Sequence, residues 1–247
     1  MKSIHRTLQI IYSIYAILSF VILMFLVFPF VLLFSLNKRQ ASANAVYTIC
    51  RIWAKVWYLI IFIRHKRIYS APNSGQQQYI YVANHCSYID IPQLLRATQQ
   101  PIRVLGRHDL AKVPVFGIIY RSATILVDRS NRENRAKSLT RMKEVLNNGI
   151  SIFIFPEGSF NETNDLLKSF YDGAFKLSMD TNIAIKPIIF PDSGNRLHYK
   201  SIFSFTPGIS RSVFLEAAKP DSYNNVQAFK QAVFTQMENA LCSYKKA

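Results

Sequence analysis

Residues 79–90 have the sequence Tyr79-Ile-Tyr-Val-Ala-Asn-His-Cys-Ser-Tyr-Ile-Asp90. The apolar run at the start, residues 79–83, is typical of a buried β-strand. His85 follows that run closely, and Asp90 is the first acidic residue of the chain. Five residues do not bring two side chains to one face of a helix. The spacing therefore predicts that His85 lies in the loop after a strand, and that Asp90 opens the next helix and folds back towards it.

The pair of His85 and Asp90 has the chemistry of a general base and its partner. A carboxylate that holds a histidine in one tautomer makes that histidine a better base. A chance pair in a turn is the alternative from these two residues alone, because any histidine has a fair chance of a nearby carboxylate. Cys86 lies beside the histidine, and this position favours a small packing residue over a nucleophilic thiol.

Strand-like and helix-like stretches alternate along the rest of the chain. The predicted strands are 78–83, 101–105, 123–128, 151–155, 183–190 and 212–217, with 201–205 as a further candidate. The predicted helices are 90–98, 109–120, 131–148, 167–180 and 226–243. Alternation of this kind indicates an α/β fold, a mixed sheet flanked by helices. Functional sites in such folds gather at strand ends, so His85 and Glu157, which each follow a strand, are expected at one edge.

The chain begins with a long apolar segment. Residues 8–36 are apolar apart from one glutamine and three serines. At about 1.5 Å per residue, they are long enough to cross a bilayer core of roughly 30 Å. Pro29 is expected to kink this helix or to split it into a hairpin. Both spanning the bilayer and re-entering on one side are therefore left open.

A second apolar stretch covers residues 46–63. Arg51 and Lys55 are four residues apart and share one helical face, and a basic, aromatic-rich helix suits the membrane interface. A core helix packed on the domain is the alternative. We therefore assign residues 1–70 to N-terminal membrane-anchoring helices and residues 71–247 to an α/β domain.

The charge distribution favours a membrane surface. The chain has 247 residues and a formal net charge of +16. Nine basic residues and no acidic ones precede Asp90, and seven of the nine follow the apolar segment. A basic region beside the most apolar region indicates membrane phospholipid as a partner and not nucleic acid. The positive-inside rule predicts a cytoplasmic-membrane protein whose catalytic domain faces the cytoplasm.

Cysteine and histidine usage bounds the chemistry further. Cys50, Cys86 and Cys242 are widely separated, which indicates a reducing compartment and not a disulfide framework. None of the five histidines has ligand-like spacing to another, so no metal site is expected.

A second motif, Phe155-Pro-Glu-Gly-Ser159, follows the apolar run of residues 150–154. The segments between the two motifs are Arg107-His-Asp-Leu110, Pro114 with Gly117, and Ile125-Leu-Val-Asp-Arg129. In this order and at this spacing, the motifs resemble the glycerolipid acyltransferase family, whose best-known members are the 1-acylglycerol-3-phosphate acyltransferases. The resemblance covers about residues 77–218. The two motifs are specific in combination, although each alone is weak.

The resemblance implies catalytic roles for the first motif. His85 would be the base that takes the hydroxyl proton of the acceptor, and Asp90 would orient it, as in the histidine–carboxylate half of a serine-hydrolase triad. The family transfers the acyl group directly, with no acyl-enzyme. A chain without a Gly-x-Ser-x-Gly elbow fits that chemistry.

The resemblance also implies a set of substrate-binding residues. Arg107 and Arg129 would bind the phosphate of the acceptor, for which a guanidinium group is well suited. The glycerol part of the acceptor would contact Glu157, Gly158 and Ser159.

One position departs from the family pattern. Phe160 stands where the family usually has arginine, and Asn161 follows it in place of serine. A phenylalanine cannot pair with a phosphate, so the departure bears on the acceptor more than on the reaction.

The resemblance predicts a membrane-anchored acyltransferase. It would move a fatty acyl group from acyl-CoA or acyl-carrier protein to the sn-2 hydroxyl of 1-acylglycerol-3-phosphate, making phosphatidic acid in phospholipid biosynthesis. No cofactor is expected beyond the acyl donor. One alternative keeps the reaction with another lysolipid acceptor, such as a lyso-amino-acid lipid or a lysophospholipid. Another is a non-catalytic membrane-surface lipid-binding module, against which the intact His85–Asp90 pair counts.

Overall fold

The computed structural model describes residues 2–37, 39–71, 77–127 and 132–246. In this part of the chain, seven strands form one sheet in the order β1-β7-β6-β2-β5-β3-β4. The strands are β1 (Ile63–Tyr69), β2 (Ile80–Ala83), β3 (Ile102–Arg107), β4 (Thr124–Val127), β5 (Ser151–Ile154), β6 (Ile185–Ile189) and β7 (Gly208–Phe214).

The sheet is mixed, as the sequence predicts. Strands β6, β2, β5, β3 and β4 run parallel to one another. Strand β7 is antiparallel to β6, and β1 is parallel to β7. The carboxyl ends of the five parallel strands therefore lie at one edge of the sheet, and this edge holds the candidate site.

The helices flank both faces of the sheet. They are α1 (Lys2–Ser35), α2 (Gln40–Ile60), α3 (Asp90–Ala97), α4 (Phe116–Ala123), α5 (Arg132–Asn147), α6 (Gly173–Thr181), α7 (Ser193–Arg196) and α8 (Val226–Lys246). Two short 3₁₀ turns cover His108–Lys112 and Pro220–Ser222. The α/β class predicted from the sequence is confirmed.

Two of the predicted helices have different limits in the structure. The helix predicted over 109–120 is wrong as one element, because a 3₁₀ turn and α4 are separated at Pro114, whose ring removes a backbone donor. The helix predicted from residue 167 begins only at Gly173. The segment before it is a loop, in which the N–H of Lys168 is bonded to the Glu157 carboxylate and not to a helical carbonyl.

Two strand predictions are also corrected. The candidate strand over 201–205 is wrong: the chain turns there, and the Ser204 hydroxyl donates to the Ser201 carbonyl at 2.6 Å. Strand β1 was missed, because its basic residues Arg64, Lys66 and Arg67 resemble the charged flank of the preceding helix. It is an edge strand, where charged side chains are common. Residues 63–69 thus belong to the sheet and not to the helical segment.

The period-two alternation of the strands separates two apolar layers. In β2 and β5, Val82 and Ile152 pack with α5, α6 and α8 on one face. Tyr81 and Phe153 pack with α2 and α3 on the other face. Both layers are buried, so the site edge is held rigidly from two sides.

Helices α1 and α2 form an antiparallel hairpin. The Trp57 indole donates to the Ala16 carbonyl at 3.1 Å, and Phe20 lies edge-on to Trp53 and Trp57 at 4.8 and 5.2 Å. Pro29 lies inside α1, which remains one helix. The predicted alternative in which Pro29 splits the segment is therefore wrong, and the chain reverses between α1 and α2 instead.

Replacement of Phe175 should destabilise the fold. Phe175 is fully buried and packs edge-on against Phe229 at 5.5 Å, so Phe175→Ala should lower the free energy of unfolding by about 3–5 kcal/mol. The exposed Phe203 is the matched control, and Phe203→Ala should change it by less than about 0.5 kcal/mol. Urea unfolding in detergent, followed by circular dichroism, measures both. Equal effects would contradict the assigned core.

Candidate active site

The centre of the site is a hydrogen bond between the His85 ring and the buried carboxylate of Asp90. The Nδ1 atom of His85 lies 2.8 Å from the Oδ2 atom of Asp90. The same carboxylate oxygen accepts the backbone N–H groups of Cys86 and Ser87, each at 2.9 Å. The Asp90 side chain is 0% exposed and that of His85 is 16% exposed. Three donors therefore fix one oxygen, and only part of the imidazole reaches the surface.

The local fold has the form that the five-residue spacing predicts. Strand β2 ends at Ala83 and α3 begins at Asp90, so the loop between them wraps around the carboxylate. Asn84 holds the start of this loop: its Oδ1 accepts from the Phe190 N–H at 2.7 Å, and its Nδ2 donates to the Phe190 carbonyl at 3.3 Å. The ends of β2 and β6 are thereby joined.

The hydrogen bond to Asp90 determines the tautomer of His85. An ionised carboxylate can only accept, so Nδ1 carries the proton and donates it to the bond. The Nε2 atom then has a free lone pair and can accept a proton from a substrate. This is the arrangement that a general base requires.

Aromatic rings enclose the imidazole. Phe155 stacks on it with ring centroids 4.0 Å apart and an interplanar angle of 18°. Phe160 meets it at 4.4 Å and 63°, and Tyr88 backs Phe160 at 4.7 Å. The base therefore lies in an apolar setting that limits the access of water.

Glu157 joins the histidine loop to a second loop. Its Oε1 accepts the His85 N–H at 2.8 Å and its Oε2 accepts the Lys168 N–H at 2.9 Å. Burial raises the pKa of Glu157 to about 7, although the two N–H groups lower it. The carboxylate lies beneath the loops and is fully buried. Its predicted contact with the glycerol part of an acceptor stays a prediction.

The rest of the second motif forms a turn at the rim. Gly158 has a φ of 72°, a left-handed conformation that favours glycine. Ser159 is exposed, and its hydroxyl accepts a hydrogen bond from the Lys168 ammonium at 2.8 Å. Asn161 donates its N–H to the His85 carbonyl at 2.7 Å. The turn is thus attached directly to the histidine loop.

Of the two arginines expected to bind phosphate, the structure describes Arg107 alone. Arg107 ends β3, so it lies at the same edge of the sheet as His85, but β5 separates β3 from β2. Its guanidinium pairs with Asp109 at 2.7 and 3.1 Å, and both side chains are exposed. Arg129 lies outside the described residues. Phosphate binding by either arginine stays a prediction.

Cys86 has the properties of a packing residue. Burial, followed by the nearby Asp90 charge, raises the pKa of the thiol to about 12. A thiol with such a pKa stays protonated near neutral pH and is a poor nucleophile. Its sulfur lies 3.7 Å from the Ser193 hydroxyl.

Sequence reasoning missed three residues of this site. The sequence presents Asn84 and Phe155 only as parts of the two motifs, with no role of their own. Lys168 had no signal in the sequence, because its position depends on the Glu157 hydrogen bond. Among the described residues, no group of three or more His, Cys, Asp or Glu side chains has the arrangement of a metal site.

The fold and this histidine–carboxylate site define an α/β enzyme of the acyltransferase class. A family model described as acyltransferase matches residues 61–191. The match covers more than half of the chain, and the chain belongs to this acyltransferase family.

Several relatives share one name. A chloroplastic 1-acyl-sn-glycerol-3-phosphate acyltransferase of Arabidopsis thaliana is 28% identical over 176 residues, which are 70% of this chain and 48% of the relative. The 1-acyl-sn-glycerol-3-phosphate acyltransferase of Escherichia coli is 32% identical over 124 residues, with 48% and 49% covered. The chain spans about half the length of the curated relatives it matches.

A solved structure shares the fold. The crystal structure of the 1-acyl-sn-glycerophosphate acyltransferase PlsC of Thermotoga maritima superposes with a TM-score of 0.77 at 21% identity. The superposition covers 100% of this chain and 99% of that one. The mixed sheet with its N-terminal helices is therefore a fold that the two proteins share over their whole length.

The raised pKa of Glu157 should make stability depend on pH. The folded protein holds this proton more tightly than the unfolded chain does, with a pKa of about 7 against an ordinary 4.5. The stabilisation is therefore fully present below pH 4.5 and is lost as the pH rises through 7, by on the order of 3 kcal/mol.

Glu157→Gln removes this titration, so the stability difference between the variant and the unmodified protein should change across pH 4.5–7 and be constant outside it. Urea unfolding at a series of pH values measures the difference. A difference that does not vary with pH would contradict the buried, proton-binding carboxylate.

Proposed function

We propose that the protein transfers a fatty acyl group from an acyl thioester to the sn-2 hydroxyl of 1-acylglycerol-3-phosphate. The observation that carries the proposal is the His85 Nδ1–Asp90 Oδ2 bond of 2.8 Å on a fold of the acyltransferase family. The names of the similar proteins from plants and bacteria support the choice of acceptor. Either acyl-CoA or acyl-carrier protein serves as the donor.

In the proposed mechanism the acceptor hydroxyl attacks directly. Nε2 of His85 takes the hydroxyl proton while the oxygen bonds to the thioester carbonyl carbon. The carbon–sulfur bond then breaks, and the imidazolium returns the proton to the leaving thiolate. Asp90 stabilises the imidazolium and keeps it oriented, as the triad carboxylate does in serine hydrolases. The protonated state of Cys86 supports a route without an acyl-enzyme.

The aromatic rings around His85 support transfer over hydrolysis. Water in the acceptor position would release free fatty acid. Phe155 and Phe160 cover the imidazole with ring centroids at 4.0 and 4.4 Å. A lipid acceptor makes apolar contacts with these rings, and water makes none, so the site favours the lipid over water.

The same contact favours a second candidate function. Phe160 brings an apolar ring to the base at a position where a guanidinium would favour phosphate. Another lysolipid acceptor, such as a lysophospholipid or a lyso-amino-acid lipid, would then use the same His85–Asp90 chemistry.

We further propose that α1 and α2 lie within the cytoplasmic leaflet and do not cross the bilayer. Helix α1 is long and apolar enough to cross a membrane, and few of its residues are buried in the protein. Yet α1 contacts the α/β domain in both halves: the Ser13 hydroxyl accepts the Phe205 N–H at 3.0 Å, and Val31 lies in one buried cluster with Tyr81 and Phe153 of the sheet. A helix about 50 Å long that stays against one domain supports a re-entrant arrangement.

Acyl transfer should depend on the histidine–carboxylate pair. His85→Ala should remove nearly all turnover of 1-acylglycerol-3-phosphate with acyl-CoA, and Asp90→Asn should lower kcat by about 10⁴-fold. The exposed His198 is the matched control, and His198→Ala should leave turnover within about two-fold of the unmodified protein because an exposed side chain contributes little. Thiol release with acyl-CoA measures the rate, and circular dichroism checks folding.

A folded His85→Ala protein with near-normal turnover would contradict the mechanism. Cys86→Ala should keep most of the activity. If a folded Cys86→Ala protein lost all turnover while His85→Ala kept it, a thiol nucleophile would replace the proposed base.

Both ends of α1 should be accessible from the same side of the membrane. Ile4 and Leu36 are exposed near the two ends, so each can be changed to cysteine in a variant in which the three native cysteines are replaced by alanine. A membrane-impermeant maleimide should label Ile4→Cys and Leu36→Cys in inverted vesicles and neither in right-side-out vesicles. Labelling of the two positions from opposite sides would show that α1 spans the bilayer.

A further inference from the structure

Lys168 lies in the loop between β5 and α6, and the family motifs assign it no role. We propose that its ammonium group binds the phosphate of the acceptor, with Ser159 holding the group in place. The inference rests on the proposed acyl transfer and names the residue that recognises a phosphate monoester.

The backbone of Lys168 is attached to the catalytic loop. Its N–H donates to Oε2 of Glu157 at 2.9 Å, and Oε1 of the same carboxylate accepts the His85 N–H at 2.8 Å. One buried side chain thus fixes the base and Lys168 relative to each other. A binding group needs this kind of support, because a loose supporting shell weakens recognition.

The side chain of Lys168 reaches the rim of the same site. Its Nζ atom donates to the Ser159 hydroxyl at 2.8 Å. Ser159 precedes Phe160, and consecutive Cα atoms are about 3.8 Å apart. The Phe160 ring lies 4.4 Å from the imidazole. The ammonium is therefore bonded to the residue next to the ring that covers the base. A glycerol phosphate joins its hydroxyl to its phosphate by only a few bonds, so one acceptor can reach both groups.

The charge of Lys168 is available to a ligand. In the described part of the chain, no carboxylate forms an ion pair with this ammonium, whereas Arg107 is paired with Asp109 at 2.7 Å and Lys230 with Asp172 at 2.8 Å. An ammonium group has three donors, and Ser159 accepts from one of them. A phosphate monoester carries close to two negative charges, and the Phe160 side chain has no positive charge to pair with them.

The chemistry at Lys168 thus complements the apolar cover over His85. Phe160 faces the base, and Lys168 of the same loop brings its positive charge to the rim beside Ser159. This arrangement accounts for a phosphorylated acceptor in a site where an aromatic ring occupies the usual position of arginine.

The test compares two acceptors that share the reacting hydroxyl. 1-Acylglycerol-3-phosphate carries the phosphate and 1-acylglycerol lacks it. Lys168→Met should raise KM for the phosphorylated acceptor by about 10- to 100-fold, the range for a lost hydrogen bond to a charged group, with kcat changed by less than about three-fold. KM for 1-acylglycerol and for acyl-CoA should stay unchanged, which separates the acceptor phosphate from the phosphates of the donor.

Two further variants separate binding from support of the loop. Lys168→Arg keeps the positive charge and should retain most of the affinity for the phosphorylated acceptor. Lys176 is an exposed lysine on α6 near Asp172, and Lys176→Met is the control that should change neither acceptor. An equal loss for both acceptors in Lys168→Met, or an unchanged KM for both, would overturn the role of Lys168.

A binding measurement keeps this inference separate from the proposed function. Equilibrium binding of 1-acylglycerol-3-phosphate to the protein in detergent needs no turnover. If the unmodified protein transfers no acyl group, the proposed function fails. A binding constant weakened in Lys168→Met and retained in Lys168→Arg would still support the phosphate site, and equal constants would overturn it.

Discussion

The site depends on one oxygen atom, Oδ2 of Asp90. A buried carboxylate is stable only when donors surround it, and this oxygen has three: the His85 ring at 2.8 Å and the N–H groups of Cys86 and Ser87 at 2.9 Å. The two backbone bonds curl the loop around the carboxylate, and this curl brings the imidazole to it. The same carboxylate oxygen therefore determines the loop conformation, the tautomer of the base and the orientation of its ring.

Glu157, in the loop between β5 and α6, is a second buried carboxylate that accepts backbone N–H groups. Each of its oxygens accepts one backbone N–H, from His85 and from Lys168, so two chain segments that are far apart in sequence meet at one side chain. Burial of this carboxylate near Asp90 raises its pKa to about 7. Burying the Glu157 carboxylate beneath the base costs electrostatic free energy. Its two hydrogen bonds fix the position of His85 relative to Lys168 at the rim of the site.

The sequence predicted the parts of this structure that follow from local pattern. Apolar runs and their spacing predict the strand before His85 and the helix that begins at Asp90. They also predict the positions of six strands along the chain. Strand β1 was not predictable in the same way, because Arg64, Lys66 and Arg67 resemble the charged flank of an apolar helix, and only pairing with β7 makes this a strand. Lys168 was missed because the Glu157 side chain, an earlier residue of the same loop, determines its backbone, and no local preference does.

The loop of the base also rests on the α1–α2 hairpin. Ile89, next to Asp90, is buried in one cluster with Trp57 and Ile61 of the α2 end and Ala16 of α1. In the proposed membrane arrangement the base is thus seated at the lipid boundary, and a lysolipid reaches it by lateral diffusion. The encounter rate then depends on the mole fraction of lysolipid in the leaflet and not on its bulk concentration. Dilution of the acceptor by other lipids should therefore lower the rate of acyl transfer.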